Sequence, residues 1–419
     1  MSNFSCAVAV KTMTCEEVMV YEFRAFVTPL IIVFGLTGNI LVIATFIRMQ
    51  IRVPCRFNLY VIAIAVAHSF ELIINALLDD FLGRGIIWLS DCRIKLKLDI
   101  ISQEACTFFK YSPEVAAFSS VNLLVLFSFD RVLTVYKPLQ FSGDRYLKFA
   151  AAAIIAVYMA AFLINIPNAL YANLGTAEGG TTLTKISCQY HNPRGFGPQY
   201  ALYMSVFGGN VIPFFEVFIA DIFIFIKLKG LLQERRRLSV ADKRSPSELR
   251  RVVGHLGLTS AFFVITFPLI ILILLRQHSD RSNYMESHPG YATKLVHVSR
   301  LCSSIKSIVY TTGFPTYFAF LPSFRNELRR LLLCYLIKDE LSGSNEVSRR
   351  IQRATVISTL TSSIRPSLPP PKIADSPSTQ EKIDENTRIC HLKHEQHSIR
   401  FWQSVEKLPL SAITRSVTV

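Results

Sequence analysis

Seven long apolar runs, separated by short polar segments, occupy most of the first 320 residues of the chain. Each run is about as long as the ~20 residues that an α-helix needs to cross a lipid bilayer. The runs cover residues 25–47, 58–81, 106–136, 147–171, 200–226, 252–275 and 292–320. This pattern predicts an all-α membrane protein, a seven-transmembrane helix bundle, with residues 1–24 ahead of the first span.

The chain changes character after the seventh run. An amphipathic stretch, residues 323–336, predicts a short interfacial helix, so the membrane domain is expected to cover residues 25–336. Residues 337–419 hold too little periodic apolar content to fold, and they predict a disordered cytoplasmic tail. Phosphorylation of its Ser/Thr cluster, residues 358–363, would supply negative charge for a basic partner such as arrestin; an unmodified polar spacer is the alternative. Cys334 is a candidate for palmitoylation.

Composition agrees with the membrane prediction. Hydrophobic residues make up 51% of the chain and charged residues only 18%, which is too apolar for a water-soluble protein of 419 residues. The formal net charge of +15 therefore indicates membrane topology and attraction to anionic lipid, not nucleic-acid binding. We find no phosphate-binding glycine loop, HExxH or paired CxxC motif, so the sequence predicts no enzyme, metal site or cofactor.

Basic residues in the short connections predict the orientation of the bundle. With the amino terminus outside, the three inner connections hold fifteen Lys and Arg residues against four acids, and the outer segments hold ten against nine. This excess predicts an extracellular amino terminus. Asn3 then begins a glycosylation sequon, Asn3-Phe4-Ser5, on the outer face.

The third apolar run ends on an acid-base pair, Asp130-Arg131. Hydrocarbon tolerates charge only at its edges or in a protein interior, so the pair is expected where the helix leaves the bilayer. The block from Ser128 to Leu139 resembles the third-span signature of rhodopsin-like (class A) G-protein-coupled receptors, with Val132 replacing the usual aromatic residue. Within that family the chain resembles divergent invertebrate neuropeptide receptors. The resemblance implies a plasma-membrane receptor that binds an extracellular ligand and activates a heterotrimeric G protein.

The other spans carry further landmarks of that family. They are Gly38-Asn39 in the first span, Asn58 and Ala65 in the second, Pro167 in the fourth, Pro213 in the fifth, Phe262 and Pro268 in the sixth, and Pro315 in the seventh. A proline inside a membrane helix bends the axis, and neighbouring helices satisfy the freed carbonyl. Pro268 and Pro315 are therefore either simple kinks or hinges for an opening of the cytoplasmic face.

Five family positions in these spans are changed in this chain, one of them Phe318, which stands where the seventh-span motif ends in tyrosine. His68 stands where the family has a sodium-binding aspartate, and Asp221 stands where it has a fifth-span tyrosine. Thr266 replaces the sixth-span tryptophan, and Phe314 replaces the asparagine before the seventh-span proline. These departures leave sodium modulation and the usual aromatic trigger unsupported.

The resemblance also implies a switch at the inner face. Arg131 would pair with Asp130, and with Glu248 at the cytoplasmic end of the sixth span, until it contacts the G protein instead. Pro138 belongs to the same sequence block as Asp130 and Arg131. A solvated loop charge is the alternative for Glu248, because Arg250 and Arg251 are nearer to it in the chain.

Five cysteines fall in predicted outer positions, where oxidising conditions permit disulfides. The resemblance implies a bond between Cys106, at the outer end of the third span, and Cys188, in the second outer connection. Cys6, Cys15 and Cys92 allow one further bridge with one thiol left over, and all three pairings stay open.

Ionisable residues inside the apolar runs are candidates for the ligand pocket, because each costs ~2.5–3.5 kcal/mol at the membrane centre. They are Glu71, Glu114 and Lys306. A salt bridge between Lys306 and either glutamate is one reading, and a ligand contact is the other. An opsin reading of Lys306 is poor: the opsin lysine precedes the proline by seven residues, whereas Lys306 precedes Pro315 by nine, about 200° around the helix.

The ligand class rests on weaker signals. An amine receptor needs an aspartate seventeen residues before Asp130, and Pro113 occupies that position. Residues 182–190 alternate with period two, which predicts a strand pair over the pocket and resembles peptide receptors. A neuropeptide ligand is therefore favoured over a chemosensory small molecule. A transporter is disfavoured, because neither repeated halves nor matching broken spans are present.

Overall fold

The computed structural model describes residues 13–91, 93–94, 96–137, 141, 143–176, 186–192, 195–237 and 246–333. Helix α1 is Cys15–Arg52, α2 is Arg56–Leu89 and α3 is Gln103–Tyr136. Helix α4 comprises Asp144–Ile164 and Ile166–Leu170, and α5 comprises Phe196–Tyr203, Met204–Val211 and Ile212–Arg237. Helix α6 is Pro246–Arg281, α7 comprises Pro289–Lys306, Ser307–Thr311 and Gly313–Phe320, and α8 covers residues 322–333. The predicted all-α class is confirmed.

Several helices extend beyond the apolar runs that predicted them. Helix α1 begins at Cys15 instead of Ala25, because Thr14 Oγ1 caps it by accepting a hydrogen bond from the Glu17 backbone N–H at 3.3 Å. Helix α6 likewise starts at Pro246 and ends at Arg281. Apolar content marks the part of a helix in the bilayer, whereas capping and turn residues decide where the helix ends.

By length and composition, α1, α2, α3, α4 and α6 are apolar enough to cross a membrane within the described chain. Helices α5 and α7 carry several ionisable residues and fall outside that set. Asp221 lies in α5, and Arg300 and Lys306 lie in α7.

Three of the described helices contain wide, π-helical segments. Phe23–Val27 in α1, Leu72–Gly85 in α2 and Met204–Val211 in α5 adopt this geometry, in which hydrogen bonds run from residue i to residue i+5. Side chains four or five residues apart then share one face. In α2 this places Asn75, Asp80 and Arg84 above one another.

Aromatic side chains fill the inner half of the bundle. Phe46 packs against Phe57, Tyr317 and Phe324, with ring centroids 5.3–6.0 Å apart, and Phe57 packs on Phe127 at 5.5 Å. All five rings are essentially buried. This cluster forms the floor on which the acid-base pair of α3 rests.

The chain divides into two compact units. Residues 1–47 and 54–324 form the first, and residues 48–53 with 325–419 form the second. In the described part of the second unit, Glu327 is ion-paired with Arg48 at 3.6 Å, Arg52 at 2.5 Å and Arg330 at 3.7 Å. Both candidate sites described below lie in the first unit.

A two-stranded hairpin covers the outer side of α3. Strand β1, Ala172–Thr176, pairs antiparallel with β2, Ile186–Tyr190, and Leu174 lies opposite Cys188. The predicted Cys106–Cys188 disulfide is confirmed, with the two Cα atoms 5.4 Å apart. Cys15 is exposed and makes no disulfide, so the two pairings that would involve it are wrong.

Tyr190 anchors the same hairpin to α4. Its hydroxyl donates a hydrogen bond to Asn168 Oδ1 at 2.6 Å, and the Lys110 ammonium lies 4.7 Å from its ring centroid. Burial, with a smaller contribution from the Glu114 carboxylate, raises the pKa of Tyr190, so the hydroxyl stays protonated and remains a donor at neutral pH.

Loss of the disulfide should release the hairpin from α3. We expect Cys106→Ser and Cys188→Ser each to reduce surface expression or ligand binding severalfold, with no additional loss in the double variant, because either change breaks the same bond. Flow cytometry of epitope-tagged receptors measures the effect, and Cys15→Ser is the matched control. Additive losses would contradict the shared bond.

Several predicted features lie outside the described residues. They are Asn3, Cys6, Cys92, Pro138, Cys334, the predicted tail and its Ser/Thr cluster. Glu248 lies in the first turns of α6, but its side chain is also outside the described part.

Candidate functional site

A cavity of about 440 Å³ opens between the outer halves of α1, α2, α3, α5, α6 and α7. The predicted Glu71, Glu114 and Lys306 all line it. Charged residues of both signs surround them: Arg24, Arg84, Arg276, Arg300 and Lys306 are basic, and Glu71, Asp79, Asp80, Glu114 and Asp280 are acidic. Such a volume suits a small ligand or one end of a longer one. Its walls are far more charged than an ordinary apolar pocket.

Arg24 joins three helices at the outer end of this cavity. Its Nε lies 3.0 Å from Asp80 Oδ1 in α2, and it donates a hydrogen bond to Ser304 Oγ in α7 at 3.0 Å. Both charged side chains are nearly buried, with 5% and 12% of their surfaces exposed. A buried pair survives only when its hydrogen bonds are satisfied, and Ser304 supplies one of them.

Gly85 explains how α1 and α2 come close enough for this pair. A Cβ atom at that position would lie 2.5 Å from the Arg24 carbonyl oxygen, which is well inside van der Waals contact. Only glycine at position 85 therefore allows the backbones of α1 and α2 to approach each other this closely. The neighbouring Arg84–Asp79 pair, at 3.1 Å, is considerably more exposed.

The expected salt bridge of Lys306 is absent from the described residues. Its ammonium donates instead to Asn210 Oδ1 in the π-helical segment of α5, at 2.8 Å. Glu71 accepts hydrogen bonds from Asn75 and from Tyr310 Oη, the latter at 3.1 Å. Of the two interpretations left open for Lys306, a direct salt bridge with Glu71 or Glu114 is not seen among the described residues, because neutral amides and a phenol occupy the hydrogen-bonding positions.

A polar network occupies the region where the family's sodium site was expected. The Tyr310 ring packs at a tilted angle against His68, with ring centroids 5.2 Å apart. The backbone carbonyl of Tyr310 accepts a hydrogen bond from Asn39 Nδ2 at 3.1 Å. His68, Asn39 and Tyr310 are all buried. The network ties α1, α2 and α7 together through side chains that are neutral or hydrogen-bonded.

Glu114 faces the cavity from α3. Its carboxylate is hydrogen-bonded to Ser205 in the π-helical segment of α5, and no ion pair holds it among the described residues. A carboxylate with only a hydroxyl partner in a largely buried position can accept a cationic group of a ligand.

The second site lies at the inner end of α3. Asp130 is ion-paired with Arg131 beside it and with Arg56 of α2, whose Nη1 lies 2.6 Å from Asp130 Oδ1. Arg56 also donates to the Phe141 carbonyl at 2.5 Å and to Thr134 Oγ1 at 3.3 Å. The acid therefore holds two arginines, of which the sequence suggested only one.

Arg131 is buried among aromatic rings. Its guanidinium carbon lies 5.3 Å from the Phe57 centroid and 5.4 Å from that of Phe127, and its Nε has no hydrogen-bond partner among the residues that the structure describes. The guanidinium carbon of a second arginine, Arg251, lies 5.8 Å from the centroid of the same Phe57 ring. A partly unsatisfied cation in such a setting gains by moving to a partner that offers more acceptors.

Asp221 and His255 form a second buried group next to Arg131. His255 Nε2 lies 3.8 Å from Asp221 Oδ1, and the imidazole packs edge-on against Phe127 at 4.6 Å. Within the described part of the chain, Asp221 Oδ1 and both ring nitrogens of His255 lack a hydrogen-bond partner. They connect α5 to α6 at the level of Arg131.

The hinge candidates occupy different surroundings. Pro268 lies inside the continuous helix α6, whereas Pro315 follows the change from the tight turn Ser307–Thr311 to the last segment of α7. Both positions are compatible with a bend. A bend alone does not distinguish a kink from a hinge.

Sequence reasoning missed several residues of the two sites. Arg24, Arg56 and Arg276 lie just beyond the ends of apolar runs, where they were read as topology signals. Asn210 and Tyr310 carry no charge and gave no signal. A search for charges within one helical turn of each span end would have found the three arginines.

Residues 38–309 match the family described as 7 transmembrane receptor (rhodopsin family). The match covers well over half of the chain, and the chain belongs to that family. Its members are receptors and not enzymes, and membership implies a multi-pass plasma-membrane protein.

Individual relatives are more distant. Somatostatin receptor type 2 of Mus musculus is 26% identical over 239 residues, which cover 55% of this chain and 58% of that receptor. Somatostatin receptor type 4 of Rattus norvegicus is 23% identical over 329 residues, 76% of this chain and 74% of that receptor. Melanopsin of Felis catus is 23% identical over 334 residues, covering 78% and 64%.

Proposed function

We propose that this chain is a receptor that binds a peptide at its extracellular side and activates a heterotrimeric G protein inside the cell. The observation that carries the proposal is the mixed charge of the cavity: five basic and five acidic side chains line one space beneath the hairpin. A peptide offers charged groups of both signs and backbone hydrogen bonds to such walls.

Other ligand classes fit these walls less well. A long apolar chromophore would leave the charges without partners, and Lys306, the candidate attachment point, is engaged with Asn210. A simple amine would use Glu114 and leave Arg276 and Arg300 unmatched. The relatives whose names refer to somatostatin support a peptide as the class, not as the identity, of the ligand.

The orientation follows from the inner-side excess of basic residues, so the amino terminus and the cavity face the extracellular side. The Asp130–Arg131–Arg56 group then faces the cytoplasm, where Arg131 and the foot of α6, with Glu248, would meet the G protein. Opening would occur by bending at Pro268 and Pro315. Arrestin binding to the phosphorylated tail, lipid attachment at Cys334 and glycosylation at Asn3 belong to the same proposal.

A nucleotide-exchange assay on a panel of heterotrimeric G proteins tests this function. Membranes containing the receptor are challenged with a neuropeptide library, and we expect at least one peptide to increase exchange in a dose-dependent manner. Membranes with the Arg131→Ala receptor at equal surface density are the control. Activation only by small non-peptide molecules would reject the ligand class, and exchange unchanged by any ligand would reject the coupling.

A further inference from the structure

Four arginines lie in the outer part of the cavity, and two of them have no carboxylate partner. Arg24 and Arg84 are neutralised by Asp80 and Asp79. The guanidinium groups of Arg276 in α6 and Arg300 in α7 form no ion pair or hydrogen bond with any residue that the structure describes, and the one side-chain bond to Arg300 is donated by Ser304 Oγ to its backbone carbonyl. These two unmatched guanidinium groups face the same space.

The charges around them do not cancel. Arg300 lies within electrostatic range of Arg24, Arg84 and Arg276, so positive groups repel one another here. Asp280, one turn after Arg276, also lines the cavity and offsets part of this charge. The lining of the whole cavity is balanced, but in this outer part, without Glu71, Glu114 and Lys306, four arginines face three aspartates. The local excess of one positive charge would be neutralised by an incoming anion.

Neutral donors stand beside the pair. Gln277 follows Arg276, and Ser303 lies one helical turn after Arg300; both line the cavity. Guanidinium groups present parallel N–H donors that match the two oxygens of a carboxylate. The surroundings therefore provide several hydrogen-bond donors in addition to charge.

We infer that Arg276 and Arg300, on facing helices, form a subsite for a carboxylate of the ligand, either the carboxyl terminus or an acidic side chain of a peptide. This inference rests on the proposed function, because it names the group by which the ligand is held in the same cavity. Both arginines are exposed, so a ligand lacking that anion would leave their guanidinium groups to solvent. Glu114, which lies deeper in the cavity, binds a cationic group at the opposite end of the ligand.

The test uses the full-length receptor in lipid nanodiscs and a small probe, N-acetylglycine, with N-acetylglycinamide at equal ionic strength as its uncharged match. At saturation we expect the carboxylate to raise the thermal unfolding midpoint by about 2–4 °C relative to the amide. Arg276→Gln and Arg300→Gln should each remove most of this shift. Lys294→Gln removes an outer charge that does not line the cavity and should preserve it.

An equal midpoint with N-acetylglycine and its amide would overturn the subsite, and this comparison needs only the wild-type receptor if a variant fails to fold. Stabilisation by methyl phosphate but not by the carboxylate would also overturn the carboxylate assignment. The measurement needs no G protein. A peptide response without the shift rejects the subsite alone, whereas the shift without any nucleotide exchange rejects the proposed function alone.

Discussion

Replacing Arg131 with alanine is expected to reduce ligand-stimulated nucleotide exchange at least about tenfold while ligand affinity changes little. Arg131 lies at the inner end of α3, far from the cavity that the ligand would enter. Its removal therefore changes the partner offered to the G protein and leaves the cavity walls intact. Exchange and radioligand binding are measured on the same membranes.

The structure gives a physical reason for treating Arg131 as a switch. In the observed arrangement it is paired with Asp130 and packed between two rings, yet its Nε remains without a partner. An incompletely satisfied buried cation is held less firmly than a fully bonded one, so a competing partner can shift it. The equilibrium between the two positions of Arg131 depends only on the difference in its interaction free energy between them.

Matched variants separate charge from geometry at this position. Arg131→Lys keeps the charge but loses the planar fork and the stacking, so we expect exchange between that of the wild type and Arg131→Ala. Asp130→Asn weakens the pairs with Arg131 and Arg56 and should raise ligand-independent exchange severalfold. Wild-type exchange by Arg131→Ala at equal surface density would rule out this mechanism.

Regularities of the sequence predicted the framework well. Apolar runs of membrane length located the helices, because the bilayer imposes its thickness on every span. The period-two pattern before Tyr190 located β2, and the disulfide followed from the family signature. The helices and the strand depend on local sequence pattern, and the disulfide depends on one cysteine pair that the family signature identifies.

Partners between helices were harder to predict. A salt bridge with a glutamate was one of two interpretations of Lys306, but its hydrogen-bond partner is Asn210 in the π-helical segment of α5. Such a segment alters the phase of a helix by a fraction of a turn, and apolar periodicity does not reveal it. Asp130 similarly gained Arg56, which lies 74 residues earlier and beyond the end of an apolar run. Opposite charges identify possible partners, but backbone phase and close approaches such as Gly85 decide which ones meet.

Removing Asp80 is expected to have a large effect on stability. Asp80→Asn would leave the Arg24 guanidinium buried without a counter-ion, and breaking a buried pair in this way costs about 3–5 kcal/mol of unfolding free energy. Thermal unfolding in nanodiscs measures the loss as a lower midpoint. Ser304 would still accept a hydrogen bond from the arginine, but a hydroxyl does not neutralise charge, and Asp79 is paired with Arg84.

The same helix offers a matched control for this experiment. Asp79→Asn breaks the adjacent pair with Arg84, whose side chains are 32% and 40% exposed, and exposed pairs contribute only about 0–1 kcal/mol. Arg24→Met combined with Asp80→Leu removes both buried charges and should recover most of the stability lost in Asp80→Asn, because no unpaired charge remains. Equal losses for Asp79→Asn and Asp80→Asn would show that burial does not strengthen the Arg24 pair. Failure of the double variant to recover would instead assign the loss to packing among α1, α2 and α7, since Ser304 keeps its place in all of these variants.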